Sequence, residues 1–561
     1  MHCHSKLRIV TLAVAAVGML LAAASAPRQV LGGASQPAPQ PPGSRPAPPP
    51  ARQHSALAAS VADTNVYLPA VFEAFSPANW LQFDYGPEHS GNNPDETIIN
   101  ASDVASLAQI FQVALPGVAD GAPVYLAGVA TSSGVRDLLF VTTKGGTLAA
   151  LDAHSGALIW SAPHPAGQCV LPEESGPCFT TSSPAIDPNL QFVYSYGLDG
   201  RVHKHAVGDG TEVTSAGWPE PVTLKPGVEK GSSALAIAVA AGTSFLYVAN
   251  GGYPGDRGDY QGHLTTINLA TGAQSVFDAD CSDQSVHFAL TPDTPDCSAV
   301  QSAIWARPGV VYDPETGHIY AATGNGSYVP ASHDWGDSVF ALNPDGTGAG
   351  GGPLDSYTPV DQAQLDTEDL DLGSTAPALL PTPAASVVKH LALQGGKDGL
   401  LRLLNLDNLS GQGGPGHTGG ELQVVPVSAS GGLILPQPAV WVNPADGSTW
   451  AFVAHSSGLT AAHLNISQAG APALQVAWQL PAGCTSPVVA NNVLFCANPN
   501  LIHALDPTTG NQLWASTTIG GIHWESPIVV NGNVYITDES GNLTDFGLPA
   551  PGARHGGPTR R

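Results

Sequence analysis

The sequence predicts an all-β fold: an eight-bladed β-propeller with four-stranded antiparallel blades, in which N- and C-terminal strands together complete one blade. Three observations carry this expectation. A strand, turn and strand unit recurs at roughly 40 to 50 residues, the period of propellers and solenoids. A Pro or small residue opens an apolar strand at Pro123, Pro184, Ser233, Pro308, Pro377, Pro438, Pro487 and Pro527. The 561 residues include 64 Gly and 50 Pro but only 11% charged residues, which suits short strands and tight turns better than long surface helices.

At the start of the chain, Lys6 and Arg8 precede an apolar run from Ile9 to Ala24 and the small-residue site Ala24-Ser25-Ala26, the pattern of a signal peptide over 1–26. The run is too short and Ala-rich for a spanning helix, and no later segment is apolar for the length a span needs. Residues 27–65, with Pro37-Ala38-Pro39-Gln40-Pro41-Pro42 and Pro46-Ala47-Pro48-Pro49-Pro50, read as a Pro/Ala-rich linker. The propeller is assigned to 66–550 and a disordered tail to 551–561. Beyond residue 26 the cysteines fall into neighbouring pairs, Cys169/Cys178, Cys281/Cys297 and Cys484/Cys496. In an exported chain such pairs are expected to be disulfides, and neighbours are the expected partners. The expected location is therefore secreted, periplasmic or at the cell surface. A net charge of −26 with only 19 Lys and Arg argues against nucleic acid, whose phosphates need clustered cations. A monomer is expected.

The sharpest repeats run from Ala150 through Leu151-Asp152 and Ser155-Gly156 to Trp160, and from Ala504 through Leu505-Asp506 and Thr509-Gly510 to Trp514. Each reads as a strand ending at Asp, a turn closed by Gly, and a strand delivering an indole. Weaker copies lie at 266–272, 340–343, 404–407 and 459–463, the last reaching Trp478. Leu543-Thr544-Asp545-Phe546 lacks a following Trp strand, and Ile110 to Leu115 lacks a preceding one, so the two ends are expected to share a blade. These units resemble the tryptophan-docking repeat of the pyrroloquinoline quinone (PQQ) enzymes, the quinoprotein alcohol dehydrogenases and related propellers, over roughly residues 78–548.

That resemblance implies a site. The segment from Trp305 to Pro314, followed by Thr323-Gly324-Asn325-Gly326, is similar to the one in which a Trp stacks under the quinone and an Asn binds calcium, which assigns Trp305 and Asn325 to those roles. Leu365 to Ser374 sits where the family carries its catalytic Asp. Asp371 is the better match and Asp369 the fallback. Gln394-Gly395-Gly396-Lys397 resembles the strand whose cation contacts the quinone carbonyls, giving Lys397 that role. The implied cofactors are PQQ and calcium, with Asn325, Asp371 and Asp256 as metal ligands. Three features depart from the family: Leu370 stands where a Trp usually precedes the Asp, no two cysteines are adjacent, and Arg257 occupies the position of the expected calcium-binding Glu.

The residues also leave other readings open. Trp305 and Asn325 suit blade packing and a turn, and the acidic loop suits a solvated connector. Ile522-His523-Trp524-Glu525-Ser526-Pro527 lines the channel or packs between blades. His203 and His205 share a strand face and are metal-type ligands without a third at recognisable spacing. The leading function is oxidation of a small-molecule alcohol or sugar. The alternative is a non-catalytic scaffold for a partner protein, resembling outer-membrane assembly propellers. An extracellular carbohydrate or polymer binder is a third reading.

Overall fold

The computed structural model describes residues 78–165, 177–290 and 296–549. The signal peptide, the linker, residues 66–77, Cys169 and the tail lie outside them. The strands form eight four-stranded antiparallel blades: 124–163, 185–221, 236–278, 311–357, 378–426, 439–480, 488–516, and an eighth made of 528–547 with Ala108–Ala114. They are numbered blades 1 to 8 in that order. Every innermost strand begins within three residues of its sequence marker, from Val124 after Pro123 to Ile528 after Pro527. In blade 8, Ala108–Ala114 pairs antiparallel with Asn542–Gly547, so both ends close the ring and no blade edge is left at the junction. Cys281 is bonded to Cys297 and Cys484 to Cys496. Cys178 is also disulfide-bonded.

The repeat has a local cause. Asp152 Oδ1 accepts hydrogen bonds from the Ser155 hydroxyl and from the His154 and Ser155 backbone N–H groups. Asp506 does the same for Thr508 and Thr509. The turn then needs a left-handed residue, and Gly156 and Gly510 adopt φ of 69° and 73°. The following indole reaches the next blade: Trp160 Nε1 donates to Val207 O and Trp478 Nε1 to Pro507 O, both at 3.0 Å. A Cβ on Gly210 would lie 2.6 Å from the Trp160 ring, so the glycine of one repeat makes room for the indole of the preceding blade.

Trp514 of blade 7 applies the same device to the closure, donating from Nε1 to Leu107 O at 3.0 Å and packing edge-on against Phe546. It is only 8% exposed. Trp514→Ala is expected to cost about 3 kcal/mol, measured by urea unfolding. Trp514→Phe should recover most of that loss, because only the hydrogen bond is then missing.

Residues 78–93 run around the axis of the propeller and visit the innermost strands in blade order. Trp80 exchanges backbone hydrogen bonds with Tyr125, Leu81 O accepts from Ile186 N, and the Gln82 amide bonds both backbone groups of Ile237. Pro87 O then accepts from Tyr312 N, Ser90 O from Val440 N, and Gly91 O from Val489 N. Asn93 Nδ2 donates to Val529 O. This segment ties blades 1, 2, 3, 4, 6, 7 and 8 together and covers one end of the hub. Its Phe83 is fully buried with Ala122 and Ala234.

Candidate functional site

A cavity of about 330 Å³ lies at the hub, lined by Thr181, Lys230, Asp256, Trp305, Arg307, Asp369, Asp371, Lys397, His523 and Trp524 among others. Most of these residues stand in the segments that lead into the innermost strands of blades 2, 3, 4, 5 and 8, which the ring brings to one axis. Trp305 and Arg307 precede the opening of blade 4. Asp371 follows a short helix, Gln362–Glu368, which ends where Asp369 turns left-handed at φ 55°. Lys397 occupies the turn between Leu391–Gln394 and Leu400–Asn405 of blade 5, and its N–H donates to Asp371 O at 3.0 Å.

Four of the residues assigned from the sequence meet at one carboxylate. Asp371 Oδ2 accepts from Trp305 Nε1 at 3.0 Å and lies 2.9 Å from Lys397 Nζ. Asp371 Oδ1 accepts the backbone N–H of Asn325 at 2.9 Å. Lys397 also reaches Asp369 Oδ1 at 2.7 Å, and its ammonium stands 5.5 Å from the Trp305 ring centre. The Thr-Gly-Asn turn permits this approach, because a Cβ on Gly324 would lie 3.0 Å from the Asp371 carboxyl carbon. Burial pushes the Asp371 carboxyl up, opposed by the Lys397 ammonium. Burial alone would push Lys397 down, but the carboxylates of Asp371 and Asp369 outweigh it and hold the ammonium above its ordinary value.

Asp256 lines the same cavity, yet its Oδ1 accepts from the Tyr260 hydroxyl at 2.6 Å. Asn325 is buried, and its contact with Asp371 runs through the backbone. The structure thus joins Trp305, Asn325, Asp369, Asp371 and Lys397 in one network, with Asp256 on the cavity wall. The positive charge nearest Asp371 is the Lys397 ammonium.

The cavity is also lined by Arg307 and Lys230, which the sequence reading did not assign, and by His523 and Trp524 of the segment expected to line the channel or pack between blades. Arg307 is buried, and its guanidinium donates to neutral oxygens only: the Thr181 hydroxyl and carbonyl, and the carbonyls of Ser232 and Asp120. It lies 5.8 Å from the Phe83 ring centre and 5.7 Å from that of Trp524. Lys230 is 6% exposed, with the Thr181 hydroxyl at 3.5 Å and the Phe179 ring centre at 4.4 Å. Among the described residues no carboxylate lies within ion-pair distance of either cation, although Asp120, Asp84 and Glu525 act on Arg307 from farther off and Asp120 on Lys230. Burial pushes Lys230 down to about 7. Trp524 packs edge-on to Trp305 at 6.4 Å between centroids. His523 Nδ1 and Lys144 Nζ both reach the buried Asp120 carboxylate, at 3.0 and 3.1 Å. The signal for Arg307 was its place two residues after Trp305; Lys230 carries no local signal, since only the ring brings it inward.

Residues 99–276 match the family model described as outer membrane protein assembly factor BamB, a PQQ-type repeat. No curated protein matches the chain. Among solved structures it is similar to a europium-containing methanol dehydrogenase (TM-score 0.60, 14% identity, 84% of this chain and 98% of that one). It is also similar to quinohemoprotein alcohol dehydrogenase ADHIIG from Pseudomonas putida HK5 (0.57, 15%, 86% and 82%). A third likeness is to the quinohemoprotein alcohol dehydrogenase from Comamonas testosteroni (0.55, 16%, 86% and 82%). Repeat type and fold agree: the chain is an eight-bladed β-propeller, and its residues 99–276 match the PQQ-type repeat.

Proposed function

We propose that this exported propeller binds a flat, multiply anionic quinone of the PQQ class in its hub and oxidises a small alcohol or sugar there. The observation that carries the reading is a cavity lined by the indoles of Trp305 and Trp524 and by two buried cations, Lys230 and Arg307, neither of which has a carboxylate within ion-pair distance among the described residues. Burying unpaired cations is costly, so the arrangement is favourable once an anion enters. The volume fits the range of ligand pockets, about 300 to 1,000 Å³, and the disulfides suit an oxidising compartment.

When bound, PQQ supplies the hydride acceptor. The chain's own residues then have distinct tasks. Trp305 offers an aromatic face, while Lys230 and Arg307 compensate carboxylates. Lys397 would supply the cation that stabilises negative charge developing on a quinone carbonyl. Asp371 accepts the substrate hydroxyl proton, and burial raises its basicity toward neutral pH. Asp369 is the fallback base. In the calcium assignment Asn325, Asp371 and Asp256 supply the oxygens, and Lys397 must yield its place at Asp371. PQQ and calcium are therefore separate arms of the test. Titrating the purified protein with PQQ, with and without calcium, is expected to quench indole fluorescence with micromolar affinity or better and to enable dye-linked alcohol oxidation. Absence of quenching at micromolar PQQ in both arms would sink the reading.

A second reading, a scaffold that binds a partner protein without catalysis, is favoured by the lack of adjacent cysteines, by Arg257 at the expected Glu position, and by the Lys397 ammonium already paired with Asp371. PQQ binding without turnover of any alcohol or sugar would move the balance toward it.

A further inference from the structure

Away from the hub, the junction of blades 1 and 2 gathers four metal-type ligands. His164 follows the outer strand of blade 1, Leu158–Pro163; His203 and His205 stand on the third strand of blade 2, Arg201–Ala206; Glu212 follows the next turn. One ligand atom from each lies within 4.8 Å of all the others. The sequence offered only the two strand histidines; the ring supplies His164, and the turn after their strand supplies Glu212.

The hydrogen bonds fix which nitrogen of His205 is free to ligate, and in His203 they set Nδ1 on the side of Glu212. His205 Nδ1 faces Gly210 O at 2.9 Å, an acceptor only, so Nδ1 carries the proton and Nε2 presents a lone pair. That lone pair points at His164 Nε2, 2.9 Å away. His203 Nε2 faces Asp199 Oδ1 at 3.1 Å, leaving Nδ1 toward Glu212 Oε1 at 2.6 Å. Two imidazoles are thus oriented by second partners, a carbonyl and a carboxylate, as metal-binding histidines usually are. Two nitrogens bonded to one tetrahedral zinc ion are about 3.3 Å apart, close to the present separation of the His164 and His205 nitrogens. The His164 and His203 rings now stack with centroids 3.4 Å apart and planes 15° from parallel, so the partly exposed His164 ring must turn for both to aim in-plane lone pairs at one ion. His164 and Glu212 are partly exposed, giving an ion a way in.

We propose that His164, His203, His205 and Glu212 bind one zinc ion that fastens blade 1 to blade 2. Nε2 of His164, Nδ1 of His203, Nε2 of His205 and a Glu212 oxygen fill four positions, leaving none open for chemistry, so the site is structural. Binding displaces the protons now shared between the paired groups. It reinforces the junction already held by the Trp160 indole on Val207 O.

The test is calorimetric titration of the full, tag-free, chelator-stripped chain with zinc chloride, together with melting curves. One zinc per chain is expected, with a Kd below about 10 µM, and zinc should raise the melting temperature. His164→Ala and Glu212→Gln alter the partly exposed ligands and should fold; each is expected to weaken binding at least tenfold and to lose the thermal shift. Cobalt(II) should give the visible bands of a tetrahedral site in the wild type only. The proposal is overturned if the wild type binds no stoichiometric zinc at that affinity. It is also overturned if His164→Ala binds as tightly as wild type, which would place the ion at Asp120, His523 and Glu539 instead.

Discussion

Asp371→Asn is expected to lower dye-linked alcohol oxidation by about a thousandfold while leaving PQQ affinity within a few-fold. Asparagine keeps the side-chain shape but only one acceptor oxygen, which can serve the Trp305 N–H and the Lys397 ammonium while the Asn325 N–H loses its acceptor, so the cavity wall should persist with one hydrogen bond fewer. What it loses is the ability to take a proton. Asp369→Asn is the control, because that side chain is 65% exposed and touches the network only through Lys397. If the rate instead collapses in Asp369→Asn and survives in Asp371→Asn, the base is Asp369. Burial raises the Asp371 carboxyl and Lys397 opposes it, and a base works only when ionised. Activity should therefore fall as pH drops through the Asp371 ionisation. Lys397→Met should move that acid limb to higher pH, in addition to its effect on rate.

How much of this was legible in the sequence follows from the range of each interaction. The blades were readable because their causes are local: an Asp capping its own turn, a left-handed Gly, and an indole at fixed spacing, as at Asp152, Gly156 and Trp160. Even blade closure was visible, since a strand without its partner at each end implies one shared sheet. The positions of Trp305, Asn325, Asp371 and Lys397 came from resemblance, and the fold does bring them together. Their mutual bonding did not follow from it, because Lys397 and Asp371 are 26 residues apart in sequence and meet only once the strands of blade 5 pair. The segment 78–93 was invisible as an axial cover: its contacts are mostly single backbone hydrogen bonds to seven separate blades, which leave no side-chain pattern. His164 was missed because blade stacking brings it to His203 and His205, whereas Glu212 comes from the turn that follows their own strand, where it bridges His205.

Lys230→Met should make the ligand-free protein more stable and at the same time weaken its hold on an anionic cofactor. Burial holds the Lys230 ammonium at about 7 against an ordinary 10.5. Between those pH values the unfolded chain carries a proton that the folded chain lacks, so stability declines as pH falls from 10.5 toward 7 and levels off below. The loss at neutral pH is on the order of 4 kcal/mol as an upper bound. Methionine fills a similar volume without charge, and a gain of about 2 kcal/mol in urea unfolding at pH 7 is expected. Binding should move the other way. A cofactor carboxylate favours the ammonium form, so wild-type affinity for PQQ is expected to fall by up to about tenfold per pH unit above 7, while the variant binds about tenfold more weakly at pH 6 and shows no such slope. A destabilised variant, or a wild-type affinity flat between pH 6 and 9, would mean that Lys230 is satisfied within the folded chain. The cavity would then lack the unmet positive charge from which an anionic ligand is inferred.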